Sequence, residues 1–403
     1  MLRKNAIEVL PKAVMGLLLL ALPMWVAAGT FTTSITAAGQ YEHDSNLFDL
    51  QKGFAPPGFP QSTRHSDSWY AASGTGTTKY DWSGQTLYAD LSGSHTSYSY
   101  FSELDHYEYK FDAGWKGEFA SIWNGSLQAT RDQAMVPFLE LTEPILSLST
   151  QTRGDAGFGV RFLPSWRLEG SGFQRTVTWP LPGTPDLKLE ESYGQLTVEY
   201  VGTAALTSGL SVGYLSGQVS GAANPLLDAA YRQTSASFVV HYADANSTLD
   251  AEAGYSERKS PGASSAINSA AGGSGRISYV NKLTGKTSLN LLVSRAFNAY
   301  LTNSGTEIDN TASLSVLWQA TFKIGVTAAY AFEYSQFPGQ GNAPVGGNRG
   351  DHVQTASLKI DYAALRWLGI DTYANYQTRD SNLIGGNFNG SVVGIDVTLK
   401  YDP

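Results

Sequence analysis

The chain has no cysteine, so disulfides, Cys-ligated metal sites and thiol redox motifs are all closed to it. Charge is scarce as well. Asp, Glu, Lys and Arg make up 15% of its 403 residues, against roughly 25% in an ordinary soluble domain. After the N-terminus no stretch approaches the roughly 18–20 apolar residues of a spanning helix. What the chain does have is 42 Gly and 12% aromatic residues. Little charge, many rings and no helical span is the composition of a β-barrel membrane protein. Composition alone leaves a secreted all-β solenoid or lectin-like sandwich as the alternative. The formal net charge of −8 speaks against nucleic acid as a partner.

Arg3, Lys4 and Lys12 form a basic leader, followed by the apolar run "AVMGLLLLALPMWVAA" from Ala13 to Ala28. The run is short, Pro23 interrupts it, and Val26-Ala27-Ala28 is a small-residue cleavage site. These are the marks of a signal peptide and not of an anchor. Residues 1–28 are therefore expected to be removed after Ala28, leaving 29–403 as one barrel domain with neither a separate plug segment nor a second domain. A chain without cysteine also suits transit through an oxidising periplasm.

Beyond the leader the sequence alternates with a period of two. In "HYEYKFDAGWKGEF", Tyr107, Tyr109, Phe111, Ala113 and Trp115 share one face, and His106, Glu108, Lys110, Asp112 and Lys116 the other. Successive side chains of a strand point to opposite faces, and one apolar and one charged face is what a wall between lipid and water requires. "ASLSVLWQATF" and "VVGIDVTLKY" split the same way. Short turns fall near residues 82–84, 120–121, 164–165, 203–204, 243–244, 283–284, 321–322 and 365–366. Long loops fall around 43–65, 99–105, 134–146, 180–188, 221–229, 260–268, 301–307, 337–351 and 382–389. Eight turns and nine loops predict an all-β transmembrane antiparallel barrel of about 18 strands, with short periplasmic turns and long external loops. Aromatics bunch beside the short turns, among them Trp82, Phe119, Trp123, Trp166, Trp318 and Trp367. They predict a girdle at headgroup level.

Catalytic patterns are nearly absent, and no enzyme is expected. Gly209-Leu210-Ser211-Val212-Gly213 fits G-x-S-x-G, but that motif needs a strand-to-helix elbow, and here it lies inside an alternating strand. His43, His65, His95, His106, His241 and His352 show no metal-ligand spacing and read as polar groups of lumen or loops. "GGSGR" lacks the rest of a phosphate loop and reads as the top of a strand. No cofactor or metal is expected. The candidate functional residues are lumen charges, because rings of charge select what passes a pore. Polar-face assignment puts Glu108, Lys110, Asp112, Lys116, Arg153, Asp155, Arg161, Glu199, Arg276, Glu333, Lys359, Asp361, Asp371, Arg379, Asp396 and Lys400 inside. Their mixed signs suit pairs that brace a wall and lack the basic excess of a polyanion conduit.

"YEHDSNLF" at Tyr41 to Phe48 is echoed by "YQTRDSN" at Tyr376 to Asn382. Asp, Ser and Asn satisfy local backbone groups where strands end, so both copies read first as strand exits. A Ca²⁺ site built from Asp44, Asn46, Asp380 and Asn382 is the functional alternative, without the spacing of a known loop. The first stretch resembles the opening of EpsL-like outer-membrane barrels encoded with bacterial exopolysaccharide genes, a group placed among β-barrel porins. The second, with the closing "GIDVTLKY" at Gly394 to Tyr401, resembles the last hairpin of that family. One departure is that Asp402 and Pro403 follow Tyr401, where such barrels finish on an aromatic residue. The resemblance implies a porin-like protein of a Gram-negative outer membrane that takes part in exopolysaccharide biosynthesis or export. Its implied partners are membrane lipid, the polysaccharide chain and periplasmic export components. A general diffusion porin for small solutes is the alternative, and a structural partner in an export complex a third reading.

Overall fold

A computed structural model describes residues 29–54, 64–120, 122–138, 146–180, 186–203, 205–221, 229–259, 269–300, 305–338, 349–383 and 385–402. The expected leader at 1–28 and the expected loop at 260–268 lie outside the described residues, as do the middles of several other long loops. Eighteen strands follow in chain order. They are β1 (Thr30–Asp44), β2 (Asp67–Trp82), β3 (Gln85–Tyr98), β4 (His106–Phe119), β5 (Trp123–Met135), β6 (Leu148–Leu163), β7 (Trp166–Trp179), β8 (Leu187–Val201) and β9 (Leu206–Ser220). The circuit continues with β10 (Ala229–Ala243), β11 (Ser247–Lys259), β12 (Ala270–Thr284), β13 (Thr287–Tyr300), β14 (Gly305–Gln319), β15 (Ile324–Phe337), β16 (Arg349–Leu365), β17 (Leu368–Ser381) and β18 (Phe388–Tyr401). Each strand pairs antiparallel with the next, and β1 pairs with β18 from Ile35↔Tyr401 to Asp44↔Val392. The sheet is therefore a closed barrel without an edge, the condition for strands to sit in lipid with every backbone group paired.

The short turns fall near the expected places, the one read at 283–284 following Thr284, and two show their local cause. Ser83 and Gly84 both take positive φ, 41° and 76°, the two-residue turn whose twist matches the flanking strands. Asp244 Oδ1 accepts from the amides of Asn246 at 2.8 Å and Ser247 at 2.6 Å. Those bonds hold its carboxyl below the ordinary range, with the Tyr242 hydroxyl adding to them. Two expected loops are shorter than read. β14 already starts at Gly305 and β16 at Arg349, because the ladder continues past the bilayer. The strands run to 17 residues, whereas crossing takes roughly 9–11.

Strand parity fixes two faces. Ile35, Leu91, Leu210, Val212, Phe238, Leu314, Leu358 and Ile395 are exposed large apolar residues on the outer one. Rings rim this band at both ends. Phe31, Trp123, Phe162, Trp166, Trp318, Phe322 and Trp367 lie by the short turns, and Tyr41, Tyr70, Tyr107, Tyr255, Tyr330 and Tyr376 lie toward the long loops. Phe322 is 89% exposed. On β1 the rims at Phe31 and Tyr41 are ten residues apart. At ~3.3 Å per residue and ~40° tilt that makes a band of ~25 Å, a bilayer's apolar height. An apolar band this tall has no stable place in water, so the wall belongs in a membrane.

The buried apolar residues lie on the other side of the wall. Leu47, Phe48, Phe101, Leu104 and Phe138 form one cluster against Trp69 and Tyr98. Val177, Leu187, Leu189, Val219 and Tyr231 form a second, with Trp179 and Leu215. Trp69, Tyr98 and the whole second cluster share the parity opposite the lipid band. Both clusters therefore sit inside the barrel, at the end that carries the long loops.

Candidate functional site

The candidate site is the lumen, and its residues follow from register. Glu108, Lys110, Asp112 and Lys116 alternate with Tyr107, Tyr109, Phe111 and Trp115 along β4 and stand on the inner face. The same parity places Arg153, Asp155 and Arg161 of β6, Glu199 of β8, Arg276 of β12 and Glu333 of β15 inside. It also places Lys359 and Asp361 of β16, Asp371 and Arg379 of β17, and Asp396 and Lys400 of β18 there.

Many of these charges are held by neighbours. Arg153 grips Asp155 at 2.6 Å, and Lys359 reaches Asp361 at 2.6 Å and Asp371 at 3.1 Å. Arg379 bonds Asp351 at 2.5 Å, Gln128 donates to both oxygens of Asp112 at 2.9 Å, and Glu108 accepts from the Met135 amide at 2.9 Å. Glu333 accepts from Ser335 at 3.3 Å, and Lys400 pairs with Asp402 at 2.8 Å. Opposite charges that lie side by side stiffen a wall. The inner parity also carries Glu42, Asp90, Glu252, Glu307 and Asp309, so carboxylates outnumber cations on the inner face of the described residues.

Sequence reading missed several inner charges. Arg167 pairs with Glu199 at 2.5 Å. Arg175 pairs with Glu191, which also accepts from the Tyr231 hydroxyl. The Arg258 guanidinium lies 3.8 Å from the centroid of the Tyr231 ring, and Asp351 joins Arg349 at 2.7 Å as well as Arg379. The signal was available: two-residue counting from the outward Trp166 puts Arg167, Glu169, Phe173 and Arg175 inside. What obscures it is that Phe173, Val177 and Trp179 share that inner face, against the expected polar lumen.

Loops shape the mouth. The chain leaves β1 through Asp44-Ser45-Asn46, where Asp44 Oδ1 accepts from the Asn46 amide at 2.7 Å. Asn46 Nδ2 donates to the carbonyls of Leu50 at 2.9 Å and Asn389 at 3.0 Å. This turn lays Leu47 and Phe48 on the inner wall, with Phe48 4.7 Å from Phe101 and 5.0 Å from Phe138 between ring centroids. Asp67, wholly buried, pins the next loop by accepting from the amides of Tyr100 at 3.1 Å and Phe101 at 2.9 Å. Asp49 sits in the first loop. Burial pushes its carboxyl up to about 7, nearby Asp44 adds to the rise and Arg379 opposes it.

Two expectations are corrected here. Asp44, Asn46, Asp380 and Asn382 do not converge on an ion. Asp44 and Asp380 lie on opposite faces of their strands, and Asn382 Oδ1 is taken by the Gly350 amide at 3.0 Å. Among the described residues no group of three or more His, Asp or Glu is placed to hold a metal. His43, His95 and His352 belong to the outer face and not to lumen or loops. His95 and His352 pack on Tyr107 and Tyr334 with ring centroids 4.3 Å apart, as amphipathic rings do at an interface. Ser211 of the G-x-S-x-G stretch faces inward and accepts from Gln195 at 2.5 Å and Thr197 at 3.1 Å.

A family described as "Putative beta-barrel porin 2" matches residues 245–401. No curated protein matches. Among solved structures, OccK9 (OpdG) of Pseudomonas aeruginosa is 14% identical with a TM-score of 0.50, over 92% of this chain and 98% of that one. The iron transporter FrpB of Neisseria meningitidis, F3-3 variant, is 8% identical with a TM-score of 0.50, over 90% of this chain and 63% of that one. This chain thus spans less than two thirds of FrpB. The outer membrane protein OpdK of P. aeruginosa is 11% identical with a TM-score of 0.49, over 92% and 99%. At such identities the likeness concerns fold, and the folds matched are those of porins and transporters. The chain is an outer-membrane β-barrel of porin-like architecture.

Proposed function

We propose that the chain is an outer-membrane passage that takes part in exopolysaccharide biosynthesis or export in a Gram-negative bacterium, after removal of residues 1–28. The observation that carries this reading is the inner wall. A barrel of 16–18 strands leaves an aqueous lumen, and here that lumen is lined by paired charges of both signs with Gln, Ser, Thr and Tyr between them. Such a wall offers hydrogen bonds to a hydroxyl-rich chain. The likeness of "YEHDSNLF" and "GIDVTLKY" to the exopolysaccharide-locus barrels supports the same reading. Its partners are then the polymer and the periplasmic export components that deliver it.

The test is secretion. A strain lacking the chain should retain polysaccharide in the periplasm, and the full-length chain should restore export. Unchanged secretion together with loss of small-solute uptake would favour a general diffusion porin instead.

A further inference from the structure

At the long-loop end of the lumen, a cavity of about 620 Å³ opens between the start of the loop after β5 and the inner wall of β7–β13. Its volume lies within the roughly 300–1,000 Å³ of small-molecule sites. Three rings line it, those of Phe173, Trp179 and Phe297, and its polar edge carries Asp132, Glu191, Arg175 and Arg258, with Gln151, Gln233 and Asn298.

Two observations mark this as more than a gap in packing. Arg258 is 3% exposed, yet its Nη1 has no hydrogen-bond partner, and neither does Nε of Arg175. A buried guanidinium with an unused donor costs on the order of 1–3 kcal/mol or more. Both atoms are closed off from the cavity as the side chains stand, so a small turn of either guanidinium toward a bound ligand would relieve that cost. The formal charges of the lining also cancel, with Arg175 and Arg258 set against Asp132 and Glu191. A neutral ligand is therefore favoured over an anion. Flat rings beside planar amide, carboxylate and guanidinium groups fit a molecule with one apolar face and a rim of hydroxyls.

We infer that this cavity is a binding subsite for an uncharged sugar, with one pyranose ring stacked on Trp179, since the Phe173 ring is taken by Arg153 at 4.0 Å. Its hydroxyls bond to Asp132, the neighbouring amides and, after a turn of its guanidinium, Arg258. The subsite gives an extended chain a foothold at the mouth. The inference rests on the lumen being a passage, and it adds the class of ligand.

The experiment uses the full chain, refolded and purified, with maltotriose and cellotriose as neutral probes and glucuronate as the anionic one. Binding is read by calorimetry and by block of ion current in planar bilayers. Both trisaccharides are expected to bind more tightly than glucuronate. Trp179→Ala and Arg258→Gln are each expected to weaken binding about tenfold, equivalent to about 1.4 kcal/mol. Thr178→Ala, on the outer face of the same strand, should leave binding unaltered. Two variants are used so that loss of fold in one leaves the other to decide. Conducting barrels that bind neither trisaccharide, or that prefer glucuronate, overturn the subsite and leave the passage standing. A barrel that folds but does not conduct overturns the passage itself.

Discussion

The two halves of the mouth solve one problem differently. Along β1–β6, loop residues supply the apolar filling: Phe48, Phe101 and Phe138 fold inward onto Trp69 and Tyr98. Along β7–β10 the strands supply it themselves, through Val177, Leu189, Val219 and Tyr231. The first arrangement fills lumen with chain, and the second leaves a lined cavity. A barrel wall is held by its ladder whatever stands inside, so its inner face is free to differ from one arc to the next. The difference shows where open space remains at the mouth: between the start of the loop after β5 and the wall of β7–β13.

The comparison is broken most forcefully at Phe48. Phe48→Ala should cost about 3–5 kcal/mol of packing, as large-to-small core changes do, and should release the first loops. Single-channel conductance rises if those loops occupy lumen, and stays level if they do not.

Next comes Glu191→Gln. It removes the charge that pairs Arg175 and accepts from Tyr231, a loss of about 2 kcal/mol for hydrogen bonds to a buried charge. Unfolding in urea would register it as a lower midpoint, with conductance little changed because no loop is freed.

A smaller effect is expected from pH. Asp49 is raised from 3.8 to about 7 in the folded chain, so the folded state holds the proton more tightly. Docking of the first loop is fully favoured below the unfolded value and is lost as pH rises through about 7. Between pH ~6 and ~8 this amounts to about 1.4 kcal/mol. The protection factors of amides in residues 45–54, with intrinsic base-catalysed exchange divided out, should fall over that range, and Asp49→Asn should abolish the fall.

The smallest effect is expected at Lys79→Gln. Its pair with Asp81, at 2.8 Å, is half exposed, and such pairs give about 0.5 kcal/mol or less.

Much of this was legible in the sequence because a barrel strand writes its two environments into alternate residues. "HYEYKFDAGWKGEF" alone marks β4 from end to end and tells lipid side from water side. The turns were legible because Ser83-Gly84 and Asp244 carry their own geometry. The mouth was not. Alternation reports lipid against water, and at the long-loop end part of the inner face is apolar, with Phe173 and Leu189 set among other side chains at the edge of a cavity. The repeated Asp-Ser-Asn shows the same limit. After β1 its Asn46 amide nitrogen ties the loop to residue 389, whereas after β17 its Ser381 hydroxyl donates to Asp351 at 2.5 Å. One tripeptide serves two contacts that only the closed barrel brings within reach.

The central claim is that the polar parity of every strand faces a water-filled passage. A chain without cysteine allows this to be tested by single substitutions. Ser357→Cys, on the inner face of β16, should react with a charged, membrane-impermeant thiol reagent and reduce the current. Leu358→Cys, the next residue and exposed on the lipid face, should do neither. Equal reactivity at the two positions, or reaction at Leu358→Cys alone, would contradict the account.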